Sequence, residues 1–141
     1  MIRFAAILLA LVVAFPANAK NTISGPLEAR VLRVIDGDTI EVAARVWLDL
    51  MVTTRVRLVG IDTPEIKGKC QREKDLARAA RQFTERLAGK VVYLRRVTYD
   101  KYAGRVLAEV MTVTGDDIGK ALILEGVARP YDGGKRQGWC P

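Results

Sequence analysis

The sequence predicts an α+β domain that is mainly β: a five-stranded barrel with two flanking helices. Three observations lead there. Short strand-like segments rich in apolar residues, some of them alternating apolar with polar, fall three before the middle of the chain and two after it. One long stretch between these groups carries an apolar stripe at helical spacing. A second, shorter helical signal opens on paired aspartates toward the C-terminus.

Taken in order, the first strand is expected over Ala29–Ile35, which is rich in Val, Leu and Ile and runs into the turn signal Asp36-Gly37. Ile40, Val42, Ala44, Val46 and Leu48 alternate with more polar residues as a half-buried second strand. Val52, Thr54, Val56 and Leu58 form a third such set, with Arg55 and Arg57 on its opposite face. These three segments read as a β-meander. Leu76, Ala80, Phe83 and Leu87 fall on one stripe of a helix that Gly89 stops. Strands return at Val91–Arg95 and Val106–Val113. Asp116-Asp117 then caps a helix with Ile118, Ala121 and Leu122 on one side, and Gly126 ends it. From Arg129 the tail, rich in Gly and Pro, reads as irregular. Five strands with a helix between the third and fourth fit an OB-fold barrel. One domain is expected over residues 29–141, behind a short leader at 20–28; the chain shows no internal repeat or low-complexity tract.

The first 19 residues read as a signal peptide. Arg3 is its positive start, Phe4 to Phe15 its apolar run, and Ala17-Asn18-Ala19 its small-x-small cleavage pattern. A membrane anchor is the alternative, but spanning a bilayer takes ~20 apolar residues. Cleavage after Ala19 implies a product in the periplasm or outside the cell, with no membrane attachment afterwards. The net charge of +7 suits a polyanionic partner such as nucleic acid. Export also places Cys70 and Cys140 in an oxidising compartment, where an even count suggests a disulfide. Two buried thiols are the alternative; a zinc site is not, because two cysteines supply half of one.

The chain contains no histidine. Histidine general bases, histidine-held metals and Ser-His-Asp chemistry are therefore excluded. Carboxylates, arginines, lysines, tyrosines and an oxygen-held cation remain.

Four short segments carry candidate chemistry. Each has a plain structural reading when taken alone: Asp36-Gly37-Asp38 as a hairpin turn, Thr63-Pro64-Glu65 as a helix start, Arg57 as a solvated strand residue, and Asp100 to Arg105 as a polar glycine loop. Together they read differently. Asp38 and Asp62 sit at ends of strands that one barrel edge can bring together. Two carboxylates and a backbone carbonyl suit a hard cation such as Ca²⁺ or Mg²⁺. Arg57 and Arg105 offer two planar forks for phosphate oxygens, and Glu65 offers a base for water. These are the parts that phosphodiester hydrolysis uses.

With these segments in place the sequence resembles the staphylococcal nuclease (thermonuclease) family. The resemblance runs from about Val31 to Tyr131. It is carried by Ile35-Asp36-Gly37-Asp38-Thr39, by Arg57 through Glu65, and by Asp100-Lys101-Tyr102-Ala103-Gly104-Arg105, in matching order and approximate spacing. It implies a calcium-dependent nuclease that cuts DNA and RNA with little sequence preference and leaves 3′-phosphates. Asp38, Asp62 and the Thr63 carbonyl match the family's Ca²⁺ ligands, with Asp36 close behind them. Glu65 matches the carboxylate that activates water, and Arg57 and Arg105 match the two phosphate-binding arginines. Lys101 and Tyr102 resemble contacts to a neighbouring phosphate. Tyr131 resembles a base-stacking tyrosine, with a structural tyrosine as the equal alternative. Ala103 is an extra residue in the phosphate loop, and the family's last helix is expected to be missing. No obligate protein partner is implied, and the expected state is a monomer. A barrel that binds single strands without cutting them is the competing reading, and a secreted basic structural protein is another. The complete acid and arginine set favours the enzyme.

Overall fold

The computed structural model describes residues 21–141. The expected signal peptide lies outside them. Seven strands and two helices follow one another: β1 (Leu27–Asp36), β2 (Thr39–Arg45), β3 (Met51–Leu58), β4 (Ile61–Asp62), α1 (Gln71–Ala88), β5 (Val91–Tyr99), β6 (Arg105–Met111), α2 (Ile118–Leu124) and β7 (Arg129–Pro130). Strands β1, β2, β3, β6 and β5 close into a barrel in that order, while β4 and β7 form a separate two-stranded sheet. The expected meander, the five-stranded closure and the two helices are all present.

The barrel closes because alternate residues of each strand reach one shared interior. Ile40, Val42, Val56, Leu58, Val92, Leu94, Ala108 and Val110 are all buried in one cluster, which Ile118 and Leu122 of α2 join. Each fully buried Val, Leu or Ile contributes about 1.5–3 kcal/mol relative to exposure. Strand β3 pairs antiparallel with β2 and parallel with β6, so Arg57 faces Thr39 on one side and Leu107 on the other.

Several boundaries differ from the expectation. Strand β2 stops at Arg45, and Val46, Trp47, Leu48 and Leu50 are exposed at the hairpin tip. The hairpin runs past the end of the barrel, so its apolar residues have nothing to pack against. Val52, beside the hairpin tip, is exposed too, as is Val113, which lies in the turn after β6 rather than in the strand. The expected leader is drawn into the fold: Ile23 bridges Val97, and β1 begins at Leu27. Strand β5 continues to Tyr99 through an irregularity between Arg95 and Thr98, where Arg96 takes a φ of 49°. The tail is not irregular at its start, because Arg129 and Pro130 pair with Asp62 and Ile61.

Helix α1 covers the barrel with a line of small residues. Its most buried positions are Glu73, Ala77, Ala80, Thr84 and Ala88, while Leu76, Phe83 and Leu87 of the expected stripe flank them half-buried. Small side chains let the helix backbone approach closely. The approach is tightest at the β1–β2 turn, where a Cβ added to Gly37 would lie 2.7 Å from Ala80 Cβ. Thr84 Oγ1 donates a 2.6 Å hydrogen bond to the Gly37 carbonyl, in a buried setting. Thr63-Pro64-Glu65 is not a helix start, since α1 begins only at Gln71.

Cys70 and Cys140 form a disulfide with Cα atoms 6.0 Å apart and a sequence separation of 70. It ties the tail to the start of α1. Glu73 lies with the two sulfurs in a cluster within 4.8 Å, but sulfurs bonded to each other leave no thiolate for a metal.

Two outcomes follow for stability. Replacing both cysteines by serine is expected to lower the unfolding free energy by ~4 kcal/mol in the chain-entropy account, read as a fall in urea midpoint against the oxidised protein. Thr84→Val leaves the buried Gly37 carbonyl without its donor and is expected to cost about 1–3 kcal/mol. An unchanged midpoint would show that water reaches that carbonyl.

Candidate active site

The site is built where the β1–β2 turn, the end of β3 and the β4–β7 sheet meet. Asp36-Gly37-Asp38 turns tightly against α1, which sets Asp38 in the turn just before β2. The Asp38 carbonyl accepts a 2.8 Å hydrogen bond from Leu58 N, which fixes the turn against the end of β3. Gly60, at φ 81°, turns the chain from β3 into β4 in the left-handed region that glycine enters at little cost. Pairing of β4 with β7 then holds Asp62 beside Asp38.

Both aspartates are buried, Asp38 at 3% and Asp62 at 4% exposure. Asp38 Oδ1 accepts from Thr39 Oγ1 at 2.9 Å, and Oδ2 accepts from the backbone N–H of Thr63 at 3.2 Å. Arg57 spans the pair, with Nη1 2.8 Å from Asp38 Oδ2 and Nη2 3.7 Å from Asp62 Oδ1. Its Nη2 also donates to the Ile61 carbonyl at 3.3 Å. Asp62 Oδ2 accepts from Trp139 Nε1 at 3.4 Å. Asp62 Oδ1 is buried without a hydrogen bond; Arg136 Nη2 lies 2.6 Å away, close enough for an ion pair but outside hydrogen-bond geometry. Asp36 stands close behind. Burial lifts its carboxyl above the ordinary value, and the neighbouring charges of Asp38 and Glu65 add to the rise.

A cavity of about 370 Å³ opens in front of these groups, with Arg57, Glu65, Lys101, Tyr102, Arg105 and Tyr131 among its lining. One space therefore holds both expected arginines, the expected base and all three expected substrate contacts. Arg105 enters β6 from the loop and is ion-paired with Asp100. The Arg105 guanidinium and the Lys101 ammonium lie 5.0 and 5.1 Å from the centre of the Tyr102 ring. The cation–π attraction gathers the loop around that ring. Ala103 sits in the same loop, just before Gly104 at φ 76°, without displacing Arg105 from the cavity. Tyr131 is held by its backbone N–H to the Gly60 carbonyl at 2.9 Å and by its hydroxyl to the Gly134 carbonyl at 2.8 Å.

Asp100 lies in a segment the sequence singles out without a role of its own, and two neighbours of the site escape a reading of the sequence alone: Trp139 and Arg136. The latter is the more consequential. Arg136 Nη1 lies 2.6 Å from Glu65 Oε1, and Nη2 donates to the Thr63 carbonyl at 3.3 Å. Burial opposes charge on this guanidinium, but the hydrogen bond to Glu65 and the close Asp62 carboxylate outweigh it and hold its pKa above the ordinary arginine value. A signal for the tail residues exists in hindsight. A bond from Cys140 to Cys70 must carry residues just before 140 toward the segment just before 70.

A family model described as "Staphylococcal nuclease homologue" matches residues 55–138. An Escherichia coli protein named "Uncharacterized endonuclease" is 36% identical over 107 residues, covering 75% of this chain and 62% of that protein. The Bacillus subtilis "Endonuclease YhcR" is 29% identical over 122 residues, 80% of this chain but 10% of its own length. The Escherichia coli "Protein ParB" is 43% identical over 101 residues, 72% of this chain and 45% of its own. The chain thus spans 62% or less of the length of these relatives. The matched stretch, 55–138, takes in Arg57, Asp62, Glu65 and Arg105, and the chain belongs to the staphylococcal nuclease family.

Proposed function

We propose that this chain is a calcium-dependent nuclease that hydrolyses phosphodiester bonds of DNA and RNA with little sequence preference and leaves 3′-phosphates. One observation carries the reading: two buried carboxylates, Asp38 and Asp62, are ion-paired with Arg57 and Arg136, which line one cavity together with Arg105 and Glu65. Family membership and relatives named as endonucleases support the same class of reaction.

A hard divalent cation fits the donor set. The Asp38 and Asp62 carboxylates and the Thr63 carbonyl are all oxygen, and Asp62 Oδ1 is buried without a hydrogen bond. When bound there, Ca²⁺ would supply fixed positive charge against the charge that develops on the phosphoryl oxygens. The chain's own groups do the rest. Arg57 and Arg105 grip phosphate oxygens through planar forks, Arg105 leaving Asp100 to do so. Lys101 and Tyr102 hold the next phosphate along the strand. Tyr131 offers a ring for an unstacked base. Glu65, half-exposed at the cavity, takes a proton from the attacking water. The water oxygen bonds to phosphorus as the P–O5′ bond breaks, giving a 3′-phosphate and a 5′-hydroxyl whose proton comes from solvent.

We read the protein as exported and monomeric, acting in the periplasm or outside the cell. The Cys70–Cys140 disulfide supports an oxidising compartment. Among the described residues no helix is long and apolar enough to cross a membrane.

Two measurements test the proposal. Cleavage of single-stranded DNA should vanish in chelator and return with Ca²⁺, with Mg²⁺ less effective because it demands tighter octahedral geometry; full activity in chelator rejects the cation. Glu65→Gln keeps shape but cannot accept a proton, and turnover is expected to fall by ~10²–10⁴-fold with nucleotide still bound. Normal cleavage would remove Glu65 from the role of base.

A further inference from the structure

Arg136 touches three of the groups to which the proposed function gives work. Its Nη2 is 2.6 Å from Asp62 Oδ1 and 3.3 Å from the Thr63 carbonyl, and its Nη1 is 2.6 Å from Glu65 Oε1. Two of these oxygens are proposed cation donors and the third belongs to the proposed base. A carboxylate oxygen in close contact with a guanidinium cannot at once hold a cation at ~2.3–2.6 Å without strong repulsion between the two positive charges.

The two arginines on this cluster are held very differently. Arg57 belongs to β3, its side chain is 16% exposed, and it bonds both Asp38 and the Ile61 carbonyl. Arg136 stands on a segment outside any helix or strand, with its side chain 41% exposed. It can swing away without breaking a strand. The segment is nevertheless fastened at both ends. On one side β7 pairs with β4, and Tyr131 is bonded to Gly60. On the other, Cys140 is bonded to Cys70, Trp139 Nε1 donates to Asp62 Oδ2, and the Arg129 guanidinium lies 3.7 Å over the Trp139 ring while donating to the Gly138 carbonyl. A charge tethered this way has a high effective concentration at its target.

We propose that Arg136 is a built-in counter-cation of the Asp62–Thr63–Glu65 group, which a divalent cation must displace, and that the disulfide-fastened tail sets how strongly it competes. The inference rests on the reading of Asp38, Asp62 and Thr63 as cation donors. Displaced from the carboxylates, Arg136 remains at the cavity as a third guanidinium for the substrate phosphate.

The test is a calorimetric titration of the full chain with Ca²⁺, needing no turnover. Arg136→Gln is expected to bind Ca²⁺ roughly ten-fold more tightly than the parent chain, a factor of the size that one lost unit charge produces near a surface site. Arg136→Lys keeps the charge but loses the fork, and should fall between them; it also serves as the working arm should the glutamine variant not fold. Cys70→Ser with Cys140→Ser should shift affinity in the same direction by a smaller factor. Thermal unfolding gives an independent readout: Arg136→Gln should melt lower than the parent in chelator and gain more from added Ca²⁺. Equal or weaker Ca²⁺ binding by Arg136→Gln overturns the competition while leaving the cation site intact. Absence of Ca²⁺ binding from both parent and variant overturns the cation site itself, and this inference with it.

Discussion

Asp38 and Asp62 are buried side by side, and the fold around them is organised by the need to balance that charge. A carboxylate taken out of water without a partner is costly, and two together more so. Arg57 lies between them on β3 and meets both. Removing one partner of such a buried group typically costs about 3–5 kcal/mol. Arg57 therefore has a structural duty beside any chemical one. Its ability to do both depends on the register that places it opposite Thr39 and beside Leu107. A shift of one residue would turn Arg57 into the apolar interior and bring Val56 or Leu58 to the surface.

Positioning comes from close approach rather than from long elements. The β1–β2 turn lies so near α1 that the residue at 37 has no room for a side chain. The same turn is bonded to the helix through Thr84 and to β3 through Leu58 N. The two-residue strands β4 and β7 would be negligible as isolated structure. Here they hold Asp62 against Arg57 and Arg136, which line the cavity, and bring in the tail that carries Arg136 and Trp139. The disulfide fixes the far end of that tail, so a short chain terminus takes part in the site without a helix to support it.

The cavity loop shows a second kind of organisation. Lys101, Tyr102 and Arg105 are arranged around one aromatic ring, and Arg105 is ion-paired with Asp100. The contacts of Lys101 and Tyr102 are exposed and weak individually, whereas the Arg105–Asp100 pair, with side chains 25% and 6% exposed, is nearly as enclosed as the Arg57–Asp38 pair at 16% and 5%. One site thus combines enclosed ion pairs with an exposed basic and aromatic rim.

Local pattern determined the architecture. Period-two alternation marked β2 and β3, apolar-rich runs marked the other three barrel strands, the helical stripe and the paired aspartates marked the helices, and glycine marked turns; the order of elements then led to the closed barrel. The candidate residues Asp38, Arg57, Asp62, Thr63, Glu65 and Arg105 could be named in advance, because they lie within short motifs whose residue types and spacing are read along the chain. What lies outside such motifs was decided by tertiary structure. Whether Val46 and Leu48 are buried depends on where the barrel ends, which alternation cannot say. Whether Arg129 and Pro130 form a strand depends on a partner nearly seventy positions earlier, at Ile61 and Asp62. Arg136 and Trp139 carry no local signal, since an arginine or tryptophan in a glycine-rich tail looks the same whether it is free in solvent or folded onto a carboxylate. Only closure of the chain through Cys70 and Cys140 puts them there, and long-range closure leaves no periodic trace in the sequence.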